Sequence, residues 1–134
     1  MIYILDHDGN LTDASMIGAM LALAQLKLPR IDVDPNTGEI KIDKSQRETP
    51  LPLNRYIATV TVYKIEDILL IDPTSEEEAL ATASITMAIT EEGNIGGIQK
   101  RGLGYFEEKE FDRIVEISLS KGKELIELIK QYAI

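Results

Sequence analysis

The sequence predicts an α+β domain: a mostly antiparallel or mixed sheet packed with two main helices. Three observations predict it. Helical apolar patterns stand near the start and at the end of the chain, and between them lie several β-branched or alternating runs separated by turn residues. The connections between those runs are too short for helical crossovers, so neighbouring strands should pair antiparallel. The expected order is β-α-β-β-β-β-β-β-α, and residues 1–134 should form a single domain.

Taken in order, the apolar run Ile2–Leu5 reads as a buried strand that meets a tight acidic turn at Asp6, Asp8, Gly9 and Asp13. A helix should start near Thr12 or Asp13, capped by Asp8 or Thr12, and run to about Lys27. Ala14, Ile17, Leu21, Ala24 and Leu28 recur at helical spacing, with Gly18, Ala19 and Ala22 beside them. So little charge implies packing on more than one side, and Pro29 should stop the helix. Residues 30–43 read as a hairpin, because Ile31 and Val33 alternate into the turn Pro35–Gly38 and Ile40 and Ile42 alternate out of it. The polar stretch 44–54 reads as a mobile loop.

Strong strand signals follow at 57–65, 68–71 and 81–90. In the last, Ala81, Ala83, Ile85, Met87 and Ile89 share one face and the other is mostly Thr and Ser. A turn at Glu91–Asn94 leads to a strand from Ile95 to Gln99. Residues 107–132 read as an amphipathic helix whose stripe includes Phe111, Ile114, Ser118, Gly122, Ile126 and Ile129, with glutamates in its first turn. A glycine in that stripe points to close packing.

Composition narrows the chemistry. The chain has 134 residues, 44% of them apolar and only 5% aromatic, so the core should be aliphatic. It holds no cysteine, which removes disulfides and thiolate chemistry and fits a reducing, cytoplasmic setting. No apolar run is long enough to span a membrane, and no basic leader precedes one. The net charge of −9 is unlike a free-standing nucleic-acid binder, so another subunit must bring most of the positive charge if RNA is bound.

Several clusters could carry chemistry. DHDGN places Asp6, Asp8 and Asn10 as a calcium loop would, but Leu11 stands where the turn glycine belongs and Ile17 where the bidentate glutamate belongs. ILDHDGNLTD resembles the opening motif of haloacid dehalogenase-like phosphatases, with Asp6 as nucleophile and Asp8 as acid/base. The antiparallel hairpins and the lack of a late Gly-Asp-x-x-x-Asp pattern oppose it. His7, the one histidine, reads as a solvent-facing side chain. The acidic run Asp72–Glu78 could bind Mg²⁺ or protonate a leaving group, but its spacing reads first as a solvated, acid-rich loop or helical turn capped by Ser75. Lys100 and Arg101, beside glycines, could approach phosphate, or could simply mark a solvated strand end.

Four segments stand in order along essentially the whole chain: LDHDGNLTDAS; LPLN before ATVTVYKI; LLIDPTSEEEALATASITMAITEEGN; and GIQKRGLGYFEEKEF. Together they resemble the RNase PH family, in its archaeal exosome branch of non-catalytic subunits. The resemblance implies an RNase PH-like fold, of which this chain is the C-terminal half. It also implies 3′-to-5′ RNA degradation within a hexameric ring shared with a catalytic RNase PH-type subunit. In catalytic members a strand ends in Asp followed by Leu-Asn, with an acidic pair shortly after; Asp72 matches the first acid and Glu78 the last. Pro73-Thr74 stand in place of Leu-Asn, a Glu replaces the second Asp, Gly9-Asn10 replace a Gly-Gly-type turn, and the phosphate-holding Ser/Arg segment is not in the chain. The resemblance therefore implies a non-catalytic role with vestigial Asp72 and Glu78, no cofactor and no metal, and RNA contact through Lys100 and Arg101. An active phosphorolytic half-site at Asp72 and Glu78 is the rival reading, with a phosphatase at Asp6 and Asp8 the second. A half-domain should also expose apolar surface and self-associate.

Overall fold

The two strands with the strongest β patterns form the centre of a four-stranded sheet. A computed structural model describes residues 1–133. Its elements are α1 (Leu11–Ala24), β1 (Lys27–Val33), β2 (Ile40–Pro50), β3 (Ile57–Ile65), β4 (Ile68–Ile71), α2 (Ser75–Leu80), β5 (Ala83–Thr90), β6 (Ile95–Gly102) and α3 (Glu108–Tyr132). The sheet order is β4-β3-β5-β6 and every pairing is antiparallel. The α+β class and the pairing direction are as the short connections require. β1 and β2 pair only with each other, as a separate two-stranded arm.

Alternation along the strands divides the sheet into two chemically different faces. Val62 lies opposite Ile85, and Val60 opposite Met87. All four are at most 4% exposed, and Val62, Ile85 and Met87 form the main core with Ile89 of β5 and Ile114 of α3. Met20 of α1, Ala58, Ile126 and Ile129 form a second cluster beside it. The opposite face carries Thr61 against Thr86, and the row Tyr63, Ser84, Arg101 across three strands.

α3 sits against the sheet because Gly122 lets it. A Cβ on Gly122 would lie 2.6 Å from both Cβ and Cγ1 of Ile89. Its start is fixed by Glu110, which accepts the Glu107 N–H at 2.7 Å and the Lys64 ammonium at 2.7 Å. Lys64 also lies 5.1 Å from the Tyr105 ring centroid.

Four expectations are corrected. Ile2–Leu5 is not a buried strand: its side chains are 53–97% exposed and no described strand edge pairs with it. α1 ends at Ala24 and not near Lys27, because the backbone turns at Gln25–Leu26 and is already extended before Pro29. Its flanks are also less covered than its apolar sequence suggests, with Leu23 40% exposed and Gly18 facing open space. Residues 44–50 are strand, not mobile loop, because Thr49 and Pro50 pair back onto Leu28 and Lys27 across irregularities at Pro29. The helical turn expected after β4 is present as a short helix, but its cap is Thr74 and not Ser75: the Thr74 hydroxyl accepts the Glu77 N–H while the Glu77 carboxylate accepts that of Thr74.

Two glycines give opposite predictions. Gly122→Ala should lower the thermal midpoint, since overpacking costs about 1–3 kcal/mol and outweighs about 1 kcal/mol of helix propensity. Gly18→Ala meets nothing within 4 Å and should raise the midpoint. Acid titration gives another. The Lys64 ammonium holds the Glu110 carboxyl below its ordinary 4.5. A depressed carboxyl stabilises the fold above that value and loses the effect as pH falls through its folded pKa. Glu110→Gln should therefore flatten the loss of stability below pH 4.5 in urea titrations at stepped pH.

Candidate functional site

The opening acidic turn and the acidic run after β4, far apart in sequence, fold into one cluster. The turn can come that close because Gly9 has no side chain and a φ of +90°; a Cβ there would lie 2.3 Å from the Pro73 carbonyl oxygen. Asn10 follows in the left-handed region at φ 46°, as does Asp72 at φ 53°. This geometry points the Asn10 N–H at Glu78 Oε2, at 2.9 Å, and its Nδ2 at Asp72 Oδ1, at 3.3 Å.

Each acid has a structural partner. Glu78 accepts the Tyr63 hydroxyl on its other oxygen, at 3.1 Å, so both its oxygens are engaged. Burial, and then the Glu78 charge, push the Tyr63 phenol far above its ordinary range, so it stays a neutral donor. Asp8 caps α2 and not α1: its Oδ1 accepts both the N–H and the hydroxyl of Ser75, at 3.0 and 2.8 Å. The Ser75 N–H, and then its hydroxyl, hold the Asp8 carboxyl below its ordinary 3.8. Asp6 accepts only the neighbouring His7 N–H and joins no cluster, and the His7 ring, itself exposed, accepts the Gly9 N–H. Among the described residues no group of three acids or histidines could hold a metal ion.

Deeper in, Asp13 is 6% exposed and accepts the Thr61 N–H at 2.7 Å and the Thr61 hydroxyl at 2.8 Å. That hydroxyl has one hydrogen, given to the carboxylate, so Thr86 must donate to Thr61 across 2.9 Å. A cavity of about 270 Å³ lies beside this network, walled by Ile17, Val60, Ile71 and Leu125, with Asp13, Asp72 and Lys121 as polar lining.

Lys100 and Arg101 do not form one patch. Adjacent strand residues point to opposite faces. Lys100 Nζ donates to the Gly102 carbonyl at 2.7 Å. Arg101 lines a shallow hollow with Tyr63, Glu78 and Ser84. The structure thus joins Arg101 to Glu78, and Asp72 and Asp8 to the same turn, while Lys100 and Asp6 stand apart. Sequence reasoning placed Asp13 in the acidic turn and Asn10 at a calcium-loop position but missed their bonds to Thr61, Asp72 and Glu78, and did not single out Tyr63 or Thr61. A buried acid inside an apolar helix pattern was the readable signal for Asp13; nothing local marks the others.

Asp13→Ala would strand two buried Thr61 donors and should cost about 2–3 kcal/mol. Glu78→Ala should also lower the urea midpoint, by freeing the Asn10 N–H and the Tyr63 hydroxyl together. Both losses are read from equilibrium urea denaturation.

Comparison with known proteins agrees with this architecture. The profile described as 3′ exoribonuclease family, domain 2, matches residues 55–121, half of the chain. An exosome complex component Rrp42 of Aeropyrum pernix is 39% identical over 122 residues, covering 91% of this chain and 44% of that protein. One from Thermococcus kodakarensis is 38% identical over 128 residues, covering 96% and 46%. The chain thus spans about half the length of the curated relatives it matches. Among solved structures, an archaeal exosome core superimposes with a TM-score of 0.74 at 29% identity, over 94% of this chain and 47% of that one. An Archaeoglobus fulgidus exosome with RNA bound to the active site gives 0.72 at 29% identity, over 92% and 44%. With half its length matched by the family profile, and with this antiparallel sheet and its helices superimposing on exosome subunits, the chain belongs to the RNase PH-type 3′ exoribonuclease family.

Proposed function

We propose that this chain supplies the C-terminal half of a non-catalytic RNase PH-type subunit of an archaeal exosome. It acts by scaffolding and by shaping an RNA path beside a catalytic RNase PH-type partner. The observation that carries this reading is the state of the acids. A carboxylate that assists phosphorolysis needs a free oxygen facing the phosphate. Glu78 has both oxygens bonded within the fold, and one oxygen of Asp72 is tied to Asn10 in the turn that places α1. These acids hold a backbone together. The similarity to exosome components named Rrp42 supports the same assembly.

RNA contact falls to Arg101 in its hollow and not to Lys100, whose ammonium is turned onto its own backbone. Arg101 by itself, in a chain of net charge −9, cannot hold RNA, so the partner subunits supply most of the phosphate contacts. The alternating hexameric ring, and self-association of the isolated chain, belong to the same reading.

Two measurements test it. The chain incubated with RNA and phosphate should release no nucleoside diphosphates, and Asp72→Ala should change nothing. Release that Asp72→Ala abolishes would establish the phosphorolytic half-site instead. Mixed with a catalytic RNase PH-type exosome subunit, the chain should shift that subunit to a larger species in size-exclusion chromatography. Elution of the two proteins as separate peaks counts against the proposal.

A further inference from the structure

Asp8–Gly9 is the one place in the chain where glycine follows an aspartate or an asparagine. An aspartyl carboxyl carbon lies within reach of the next residue's backbone nitrogen. Ring closure between them is hindered least when that next residue has no side chain. Asp8 and His7 are both exposed, so water reaches the pair. Two neighbours act on it with opposite effect. His7 Nδ1 accepts the Gly9 N–H at 3.4 Å, which sets a base on the proton that ring closure must remove. Ser75 restrains the carboxyl, since its N–H and its hydroxyl both donate to Asp8 Oδ1, at 3.0 and 2.8 Å. These bonds favour the carboxylate over the acid, and a carboxylate is the poorer electrophile.

We infer that Asp8–Gly9 is a self-modification site: the Gly9 nitrogen closes on the Asp8 side chain, with His7 as base and Ser75 as restraint, and the resulting succinimide opens to isoaspartate. The Gly9 N–H proton passes to His7 Nδ1 as the nitrogen bonds to Asp8 Cγ. The carboxyl loses its hydroxyl as water, which carries that proton away. Water then adds back to the ring. Opening at the side-chain carbonyl restores Asp8. Opening at the main-chain carbonyl leaves the backbone running through Cβ and Cγ, with a free carboxylate on Cα. The net change is an isomerisation that needs no reactant beyond water.

The fold has no room for the product. The added backbone carbon enters a turn in which a Cβ on Gly9 would already lie 2.3 Å from the Pro73 carbonyl oxygen. The new carboxylate is displaced from Ser75, so α2 loses that contact. Isoaspartate therefore lifts the turn from Pro73–Glu78 and breaks the 2.9 Å bond from the Asn10 N–H to Glu78 Oε2. The isomer loses the anchor at the start of α1. Ser75 thus both holds the turn in place and protects it chemically.

The test incubates the full chain warm near neutral pH and reads it by mass spectrometry with electron-based fragmentation, which separates isoaspartate from aspartate. Isoaspartate should accumulate at residue 8 faster than at any other aspartate. His7→Ala should slow it several-fold in the folded chain and leave the rate unchanged in urea, where the contact between His7 and Gly9 is gone. Ser75→Ala should speed it several-fold, and Ser75→Thr, which keeps a hydroxyl, should restore the slow rate. Hydrogen exchange at residues 10–13 should rise in step with the isoaspartate formed. Circular dichroism checks that each variant remains folded. A folded chain that stays unmodified while the chain in urea isomerises overturns the inference. Equal rates in the folded chain and His7→Ala overturn the role of His7, and a rate in Ser75→Ala no faster than in the unmodified chain overturns that of Ser75.

Discussion

One buried carboxylate fixes how the helical layer meets the sheet. β4 is short, and its pairing with β3 begins only at Val62. The Thr61 N–H, one residue earlier, has no strand to take it on that side. Asp13, from the first turns of α1, supplies the acceptor and takes the Thr61 hydroxyl as well. A buried charge is tolerated only when its oxygens are filled with donors. Both Asp13 oxygens are, and α1 is held at one angle against the β3 edge. The cavity between α1, β3 and α3, and the position from which the arm springs, follow from that placement.

The acidic turn before α1 extends the same arrangement. Gly9 and Asn10 bring the turn onto Pro73–Glu78, and Asp8, Glu78 and Asp72 then act as acceptors for backbone and side-chain donors. Acids that looked catalytic when read singly hold two loops and a short helix in register. Of the three, Glu78 has both oxygens engaged, while Asp8 and Asp72 each use one. The fold is that of an exoribonuclease family, and these hydrogen bonds position its turns.

Several apolar surfaces have no cover among the described residues. α1 is apolar on nearly every side yet half-covered, Ile2–Leu5 is open to solvent, and the arm carries an aliphatic face with no counterpart in the chain. The chain matches about half the length of its relatives. Surface of this kind is buried against other polypeptide in stable proteins. The net charge of −9 gives the chain no net electrostatic attraction for phosphate.

The sequence by itself determined the elements whose patterns are local. β-branched runs gave β3 and β4, alternation gave the two faces of β5, and a stripe with Gly122 gave α3 and its close approach to the sheet. These are legible because strand and helix periods are written in consecutive residues. Only the tertiary structure decided what depends on meetings across the chain. Ile2–Leu5 has strand composition but no partner edge, and a strand without a ladder does not form. The stretch 44–50 is polar, yet it pairs because Lys27–Pro29 lies beside it. Asp8 caps a helix 67 residues away, and Lys100 and Arg101, adjacent in sequence, face opposite sides of the sheet. Whether an acid is a catalyst or a cap is set by which donors reach its oxygens, and those donors come from elements that only folding brings together.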